Sequence, residues 1–442
     1  MKKPIQSLLK IMTTALTLAL VTGVMSATPV LATPPTPTQS WVATWQASPQ
    51  PVWGPDFLFP TNVPTELSNK TVRQVVRISL GGEALRIVLS NAYGNQPLLV
   101  GRASVARPGE GNKDTVISDS LHAVTFGGQE SATILPGTSL VSDPVAFPVP
   151  ALAEIVVSLY LPDTTPMATF HWDGRQTTWI LRGDQTQSTT IGNAALSTTA
   201  RLLLTGIQVE TEQASSAVLV IGDSITDGAT ASLDTDNRWP DFLAERLVPH
   251  DVAVVNAGIS GARLLSDGMG MNALARLDRD VLAQPKVQSV IVMLGINDIA
   301  WPGTAFAPEA DRPTMNDLTS GYRQLIEQIR TRGLRVIGAT LTPFEGALPD
   351  TPLENYYHTD KDVLRRQVNE WIRNSGAFDA VIDFDAVLRS PENPSRMEAR
   401  FDSGDHLHPG DEGNRAMAEA VVLDALLPNL NASPATTSSQ EH

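Results

Sequence analysis

The hydrophobic and polar positions follow two different patterns along the chain. From Ser40 to about Val209, short β-branched and aromatic runs alternate with Gly, Pro, Asp and Asn, which is typical of strands joined by turns. The clearest runs cover residues 72–80, 84–90, 98–106, 132–135, 154–161 and 177–181. Gly81-Gly82 between the first two runs predicts a tight hairpin. This pattern predicts an antiparallel β-sandwich over residues 40–210.

From Ala217 onward, apolar runs alternate with helical periodicity. The strand candidates are Val218–Ile221, Val252–Asn256, Ser289–Leu294, Arg335–Leu341 and Ala380–Phe384. The predicted amphipathic helices cover residues 238–247, 272–283, 314–332, 359–374 and 411–426. Buried strands with helical crossovers predict an α/β domain with a parallel, doubly wound sheet over residues 211–428. The polar stretch Glu210–Ser216 between the two patterns predicts that the domains are separable.

The first 32 residues have the pattern of a secretory signal. Three lysines precede or border the apolar stretch 11–24, and small residues follow it, so cleavage is predicted after Ala32 or after Ala27. An uncleaved membrane anchor is the alternative, but the stretch is shorter than the ~20 residues of a membrane span and is diluted by threonine. We therefore expect a secreted or periplasmic bacterial protein.

The amino-acid composition limits the classes of partner and site that the protein is expected to have. The formal net charge of −15 predicts repulsion of polyanions, which argues against nucleic acid and anionic membrane surfaces. The absence of cysteine excludes a disulfide framework and a thiolate metal site. Residues 33–39 form a Pro/Thr linker, and residues 429–442 a polar tail that we expect to be disordered. Composition leaves the oligomeric state open.

A candidate nucleophile follows the first strand of the α/β region. The apolar run Val218–Ile221 breaks at Gly222-Asp223-Ser224, so that a serine lies where a strand ends and a helix begins. In open α/β sheets, ligands bind at the carboxyl ends of the strands. Ser224 requires a general base, an orienting acid and oxyanion donors elsewhere in the chain.

The base and the acid are predicted near the C-terminus. Asp405 and His408 are three residues apart in a loop that leads into the last helix. In a tight loop, this spacing allows the carboxylate to bind one imidazole nitrogen while the other nitrogen faces Ser224. His406 lies next to the acid and cannot share that orientation.

Oxyanion donors are predicted in the loops after the second and third strands. These loops read Asn256-Ala257-Gly258-Ile259-Ser260-Gly261 and Gly295-Ile296-Asn297-Asp298. Glycine allows close approach of the backbone to a ligand, and Asn297 offers a neutral side-chain donor. Either loop alone is more often an ordinary turn, but both follow strands at the sheet edge predicted to carry Ser224.

Several nearby residues have two open roles. Asp223 is either a brace for the nucleophile loop or a turn residue that bonds to its own backbone, and the same applies to Asp227 and Asp298. His171 and Trp172 lie in the predicted sandwich, where core packing is the commoner role and stacking on a sugar ring the alternative.

Four sequence motifs together resemble those of the SGNH hydrolases, also called GDSL esterases and lipases. They are the segment that ends in Ser224, the loop with Gly261, the loop with Asn297, and the loop with Asp405 and His408. The resemblance implies a flavodoxin-like three-layer sandwich with a five-stranded parallel sheet over about residues 215–428. It implies a triad of Ser224, His408 and Asp405. It also implies an oxyanion hole formed by the backbone N–H groups of Ser224 and Gly261 and the side chain of Asn297. The β-rich part is similar to a region that precedes the catalytic domain in some secreted members.

The implied reaction is two-step acyl transfer to water, with neither a metal nor an organic cofactor. Our first hypothesis is hydrolysis of short-to-medium acyl or aryl esters, and the rival is removal of acetyl groups from polysaccharide. Lipase, lysophospholipase and thioesterase activities are also compatible. An inactive binding or adhesion protein is the alternative of another class. Pocket-shaping residues are expected in Trp301–Arg312 and Phe344–Tyr357.

Overall fold

The computed structural model describes residues 40–192, 196–211 and 215–427. The predicted signal segment, linker and tail lie outside these residues. Within the described ranges, no helix combines the length and the apolar character needed to cross a bilayer.

The described N-terminal part has two facing antiparallel sheets of five and six strands, and its nine other strands form small two- and three-stranded sheets. Its strands β1–β20 are Ser40–Gln46, Gln50–Pro51, Glu66–Leu67, Lys70–Arg77, Gly82–Ser90, Leu98–Val100, Arg102–Ala106, Pro108–Gly109, Asn112–Val116, His122–Val124, Ala132–Ile134, Ser139–Val141, Val145–Val149, Glu154–Leu161, Thr165–Pro166, Thr169–His171, Thr178–Arg182, Leu196–Thr198, Arg201–Leu202 and Leu204–Thr211. One sheet has the order β1-β20-β5-β12, with β13 also on β5, and the other has the order β10-β7-β14-β4-β17-β18. Apolar side chains of both sheets form one core, which confirms the predicted sandwich.

The predicted Gly-Gly hairpin is wrong. Strands β4 and β5 lie in different sheets, and the residues between them cross from one sheet to the other. Gly81 allows two backbone segments to approach each other closely. A Cβ atom at this position would lie 2.3 Å from the carbonyl oxygen of Val149. The crossing also carries Leu80 into the core of the α/β part, and this long-range burial outweighs the local turn preference.

The C-terminal part is a parallel sheet between two helical layers. Strands β21–β25 are Ser216–Gly222, Val252–Gly258, Val287–Met293, Arg335–Ala339 and Ala380–Ile382. Helices α1–α9 are Ser224–Asp227, Trp239–Leu247, Ala273–Leu277, Ile296–Ala300, Met315–Arg330, Thr359–Asn374, Phe384–Leu388, Asp411–Glu419 and Leu423–Leu426. The strand order β22-β21-β23-β24-β25 is the flavodoxin-like order, and every neighbouring pair is parallel.

The strands and the other long helices predicted for this part are confirmed, with ends that differ by a few residues. The predicted helix 411–426 is instead two helices, α8 and α9, separated by residues 420–422. Separate cores lie on the two faces of the sheet, as three layers require. Three short helices were not predicted, namely α1, α4 and α7, because four or five residues are too few to show helical periodicity. Shorter 3₁₀ segments lie at Ser118–Ser120 and Val248–His250, and a π-helical turn at Asp278–Leu282.

The sandwich covers an edge of the parallel sheet. Strand β22 is an edge strand, and the N–H of Val254 in it donates to Ser79 Oγ at 3.0 Å. Val42, Ala43 and Leu80 belong to the same apolar core as the neighbouring face of the sheet. The edge strand is thereby protected from pairing with another chain. Whether residues 211–428 fold without the sandwich stays a prediction.

We expect Leu80→Ala to destabilise the protein by about 2–4 kcal/mol, because truncation of a buried leucine leaves a cavity. Leu80 is 6% exposed in the shared core. Urea unfolding followed by circular dichroism measures the change. Leu135→Ala is the matched control, since Leu135 is 58% exposed. Equal stability of the two variants would contradict the importance of this contact.

Candidate active site

Ser224 lies at the turn from strand β21 into helix α1. The turn is stabilised by Asp223, whose Oδ1 accepts a hydrogen bond from the N–H of Ile225 at 3.0 Å. Asp223 thus has the local turn role that was one of its two open interpretations. Because β21 lies between β22 and β23, Ser224 is placed at the carboxyl edge of the sheet with a loop on each side.

Ser224, His408 and Asp405 form a continuous hydrogen-bonded chain. Ser224 Oγ and His408 Nε2 are 2.8 Å apart, and His408 Nδ1 and Asp405 Oδ2 are 2.6 Å apart. With Nδ1 as donor to the carboxylate, Nε2 is free to accept the serine proton. His406 points elsewhere and pairs with Asp402. This agrees with the sequence analysis, which excluded His406 as the catalytic base.

The loop that carries His408 is organised around the carboxylate of Asp405. Asp405 Oδ1 accepts hydrogen bonds from the N–H groups of Leu407 at 3.0 Å and His408 at 2.8 Å. Partial burial acts to raise the pKa of Asp405, but the bonds from His408 and the two amides prevail and hold that pKa well below its usual range. Asp405 is therefore ionised at any pH at which His408 can act as a base.

Gly261 and Asn297 lie beside Ser224, as predicted from the sequence. Among the residues that the structure describes, no acceptor takes the backbone N–H of Ser224 or of Gly261. Gly261 has φ of +73°, a backbone conformation that favours glycine, and a Cβ atom there would crowd Met269 Sδ at 2.6 Å. These N–H groups remain available to a bound ligand.

Tyr356 orients the side chain of Asn297. Its hydroxyl donates to Asn297 Oδ1 at 2.8 Å, and Asn297 Nδ2 donates one hydrogen to the carbonyl of Ala262 at 3.0 Å. The second hydrogen of Nδ2 stays available. Burial raises the pKa of Tyr356 well above its ordinary value, so the phenol keeps its proton. Sequence analysis placed Tyr356 in a pocket-shaping loop but did not identify this contact.

Two carboxylates hold the loop of residues 258–265, here called the Gly261 loop. Asp298 accepts hydrogen bonds from the N–H groups of Leu264 at 2.7 Å and Leu265 at 2.9 Å. At the other end, Asp227 Oδ2 accepts the N–H of Ser260 at 2.9 Å. Asp227 and Asp298 therefore act as braces, the first of their two open roles, but they brace the Gly261 loop rather than the nucleophile loop.

An apolar cavity of about 470 Å³ opens beside Ser224 and His408. Its walls include Phe59, Trp172, Asp173, Arg175, Met269, Trp301, Phe306, Leu348, Leu353, Tyr356 and Leu407. The predicted pocket loops thus contribute. The first four residues come from the sandwich, and of these the sequence indicated a substrate contact for Trp172 alone, as the alternative to core packing. The Phe59 and Trp172 rings are stacked, with centroids 5.7 Å apart and planes 9° apart. In the described part of the chain, no group of three His, Asp or Glu side chains is arranged to hold a metal ion.

The family comparison agrees with this geometry. Residues 218–421 match the family model described as GDSL-like lipase/acylhydrolase. This part of the chain belongs to that family. The protein is accordingly a carboxylic ester hydrolase with a GDSL domain, and the resemblance found in the sequence over about residues 215–428 is confirmed. No curated protein matches the chain.

Solved structures similar to this chain correspond to about half of it. An inhibitor-bound aryl esterase from M. smegmatis is 21% identical, with 48% of this chain and 100% of that chain covered and a TM-score of 0.39. An acetyl xylan esterase from Geobacillus stearothermophilus is 24% identical, with 48% and 95% covered and a TM-score of 0.35. A G-D-S-L lipolytic protein from Desulfitobacterium hafniense is 21% identical, with 47% and 97% covered and a TM-score of 0.35.

Asp223 makes the stability of the GDSL domain depend on pH. Burial raises the pKa of Asp223 to about 7, and in the described structure its Oδ2 has no hydrogen-bond partner. Because an aspartate in an unfolded chain has a pKa of about 3.9, the folded state binds the extra proton between about pH 4 and pH 7. Stability therefore falls as the pH rises through this window, by roughly 1 kcal/mol per pH unit.

We expect Asp223→Asn to remove this contribution while keeping an acceptor for Ile225. The measurement is the free energy of unfolding in urea at several pH values from 4 to 8. Relative to wild type, the variant should gain stability as the pH rises. Asp119→Asn, at an exposed position of the sandwich, is the control and should leave the slope unchanged. Parallel wild-type and Asp223→Asn curves would contradict the assignment.

Proposed function

We propose that the GDSL domain cleaves carboxylic esters through an acyl-enzyme on Ser224. His408 Nε2 takes the Ser224 proton while Oγ attacks the ester carbonyl carbon, and then gives that proton to the leaving alcohol oxygen. Water next attacks the acyl carbon with His408 again as base, which releases the acid and restores Ser224. The observation that carries the proposal is the chain of 2.8 Å and 2.6 Å bonds from Ser224 through His408 to Asp405.

The oxyanion of the tetrahedral intermediate is stabilised by the N–H groups of Ser224 and Gly261 and by Asn297 Nδ2. The two N–H groups have no acceptor in the described structure, and Tyr356 holds Asn297 with one Nδ2 hydrogen available. Donors that are already oriented need little reorganisation when the charge develops. Asp405 stabilises the imidazolium that His408 becomes in each step.

The cavity favours short-to-medium acyl or aryl esters. Its volume of about 470 Å³ lies within the usual range of small-molecule sites, ~300–1,000 Å³. Aromatic and aliphatic side chains form most of its wall, so an apolar acyl or aryl group gains binding free energy there. Deacetylation of polysaccharide is the second candidate, favoured by the stacked Phe59 and Trp172 rings, which offer an aromatic surface to a sugar ring.

We also propose that the enzyme acts outside the cytoplasm. The support is the lysine-led apolar segment at residues 11–24 with small residues after it. The lack of cysteine means that export raises no need for disulfide formation. An inactive binding protein is less well supported, because binding alone does not require a serine, histidine and aspartate in one hydrogen-bonded chain.

We expect hydrolysis of p-nitrophenyl esters from acetate to medium chains, with lower rates toward palmitate. Ser224→Ala should lose at least about 10⁴-fold in kcat, because the acyl-enzyme no longer forms. Acetylated xylan is assayed in parallel, and Ser118→Ala is an exposed serine control. Activity confined to acetate and acetylated xylan would favour the second candidate. Equal inactivity of wild type and Ser224→Ala, with no fluorophosphonate labelling, would contradict the proposal.

Two further variants measure how much Asn297 and its contact with Tyr356 contribute to kcat. We expect Asn297→Ala to lower kcat by about 10²–10³-fold, since one donor is lost. Tyr356→Phe removes only the hydroxyl that orients Asn297 and should cost about 3- to 10-fold. Tyr357→Phe is the matched control, because its hydroxyl lies 3.5 Å from Glu345 rather than near Asn297. A Tyr356→Phe enzyme as active as the control would show that Asn297 needs no such support.

A further inference from the structure

A chain of hydrogen bonds leads from the sandwich to the Gly261 loop. It starts at His171 in strand β16, whose Nε2 lies 2.8 Å from Asp227 Oδ1. The other carboxylate oxygen of Asp227 accepts hydrogen bonds from the backbone N–H of Ser260 at 2.9 Å and from its hydroxyl at 2.8 Å. Ser260 directly precedes Gly261. One buried carboxylate thus connects the sandwich with the residue before a proposed oxyanion donor.

The bonds of His171 require both ring nitrogens to carry hydrogen. Nδ1 lies 3.0 Å from the carbonyl oxygen of Ser48, which can only accept, and Nε2 faces the carboxylate of Asp227. Burial acts to lower the pKa of His171, but the charge of Asp227 and these hydrogen bonds raise it overall. His171 is therefore an imidazolium that neutralises a buried carboxylate.

Removing the histidine would leave that carboxylate without its ion-pair partner, and a nearby cation, Arg238, is already paired with Asp241. The side chains of His171 and Asp227 are 4% and 3% exposed, so water cannot replace the imidazolium without local opening. Asp227 is also the last residue of helix α1, which begins at Ser224. A displacement of Asp227 would therefore be transmitted to the nucleophile helix and to the Gly261 loop.

The packing of the Gly261 loop against helix α1 leaves little room for adjustment. A Cβ atom at Gly258 would lie 2.4 Å from the backbone nitrogen of Asp227, so the loop and the helix are in close backbone contact. Asp298 holds the far end of the same loop through Leu264 and Leu265. The direction of the Gly261 N–H therefore depends on two carboxylates, and one of them depends on His171.

We propose that His171 is a positioning residue for ester hydrolysis: through Asp227 and Ser260 it holds the Gly261 N–H in the direction that stabilises the oxyanion. This inference rests on the proposed function of Ser224 and Gly261. It gives the sandwich a role in the chemical step, because the histidine lies outside the part of the chain that matches the GDSL family.

Three variants test the inference. His171→Ala should lower kcat by about 10- to 100-fold, the loss expected from misplacement of a catalytic group by ~1 Å. His171→Gln retains an N–H donor toward Asp227 and should recover part of that loss. Ser260→Ala removes only the hydroxyl bond and should have a smaller effect of the same kind. Arg77→Gln is the control, since Arg77 bonds to Glu245 in helix α2 and not to the Gly261 loop.

The measurements must separate positioning from folding. Active sites are counted by titration with a fluorophosphonate, and kcat and KM for p-nitrophenyl acetate are expressed per titrated site. The Ki of a trifluoromethyl ketone is measured as well, because its serine adduct places an oxyanion at the same donors. We expect Ki to rise by the factor by which kcat/KM falls, with KM changed little. A merely structural role would lower Tm and the titrated fraction and leave kcat and Ki per site unchanged.

The outcomes distinguish this inference from the proposed function. If wild type shows no Ser224-dependent hydrolysis, the proposed function fails and the inference fails with it. If wild type is active but His171→Gln and Ser260→Ala keep wild-type kcat and Ki per site, the inference alone is overturned. If His171→Ala yields no folded protein, those two variants decide the question in the same way.

Discussion

The hydrogen bond between Ser224 Oγ and His408 Nε2 joins residues that are 184 positions apart. It exists because a parallel sheet directs the carboxyl ends of all its strands to one edge, where loops distant in the chain meet. Apolar cores on both faces of the sheet keep that edge rigid. The loops of Gly261 and Asn297 reach Ser224 for the same reason. Every group assigned to the reaction therefore depends on the packing of strands that carry no chemistry.

Carboxylates hold these loops in place. Asp227, Asp298 and Asp405 each accept hydrogen bonds from backbone N–H groups in segments without a regular ladder of bonds. A carboxylate has room for several donors and binds them more strongly than a neutral oxygen does. Asp298 and Asp405 each fix two consecutive amides, and Asp227 fixes the amide and the hydroxyl of Ser260. This use of aspartate explains why acidic residues surround a site whose substrate need not be charged.

The sandwich takes part in the site as well as covering the sheet edge. It contributes Phe59 and Trp172 to the wall of the cavity, and it contributes His171 to the network that ends at the Gly261 loop. The family match covers only residues 218–421 and contains none of these side chains. On the proposed function, both parts therefore contribute to the site, which agrees with the apolar core that they share around Leu80.

The sequence by itself determined the two-part architecture and the blocks that contain Ser224, Gly261, Asn297 and His408. These features have local signals, because buried strands require continuous apolar runs and the site residues directly follow such runs. Only the tertiary structure decided that Gly81 crosses between sheets, that Tyr356 orients Asn297 and that His171 pairs with Asp227. Those contacts join residues far apart in the chain and follow no period. These pairings depend on burial and charge in the folded protein, where an unpaired polar group costs free energy. No short stretch of sequence contains a pattern that predicts them.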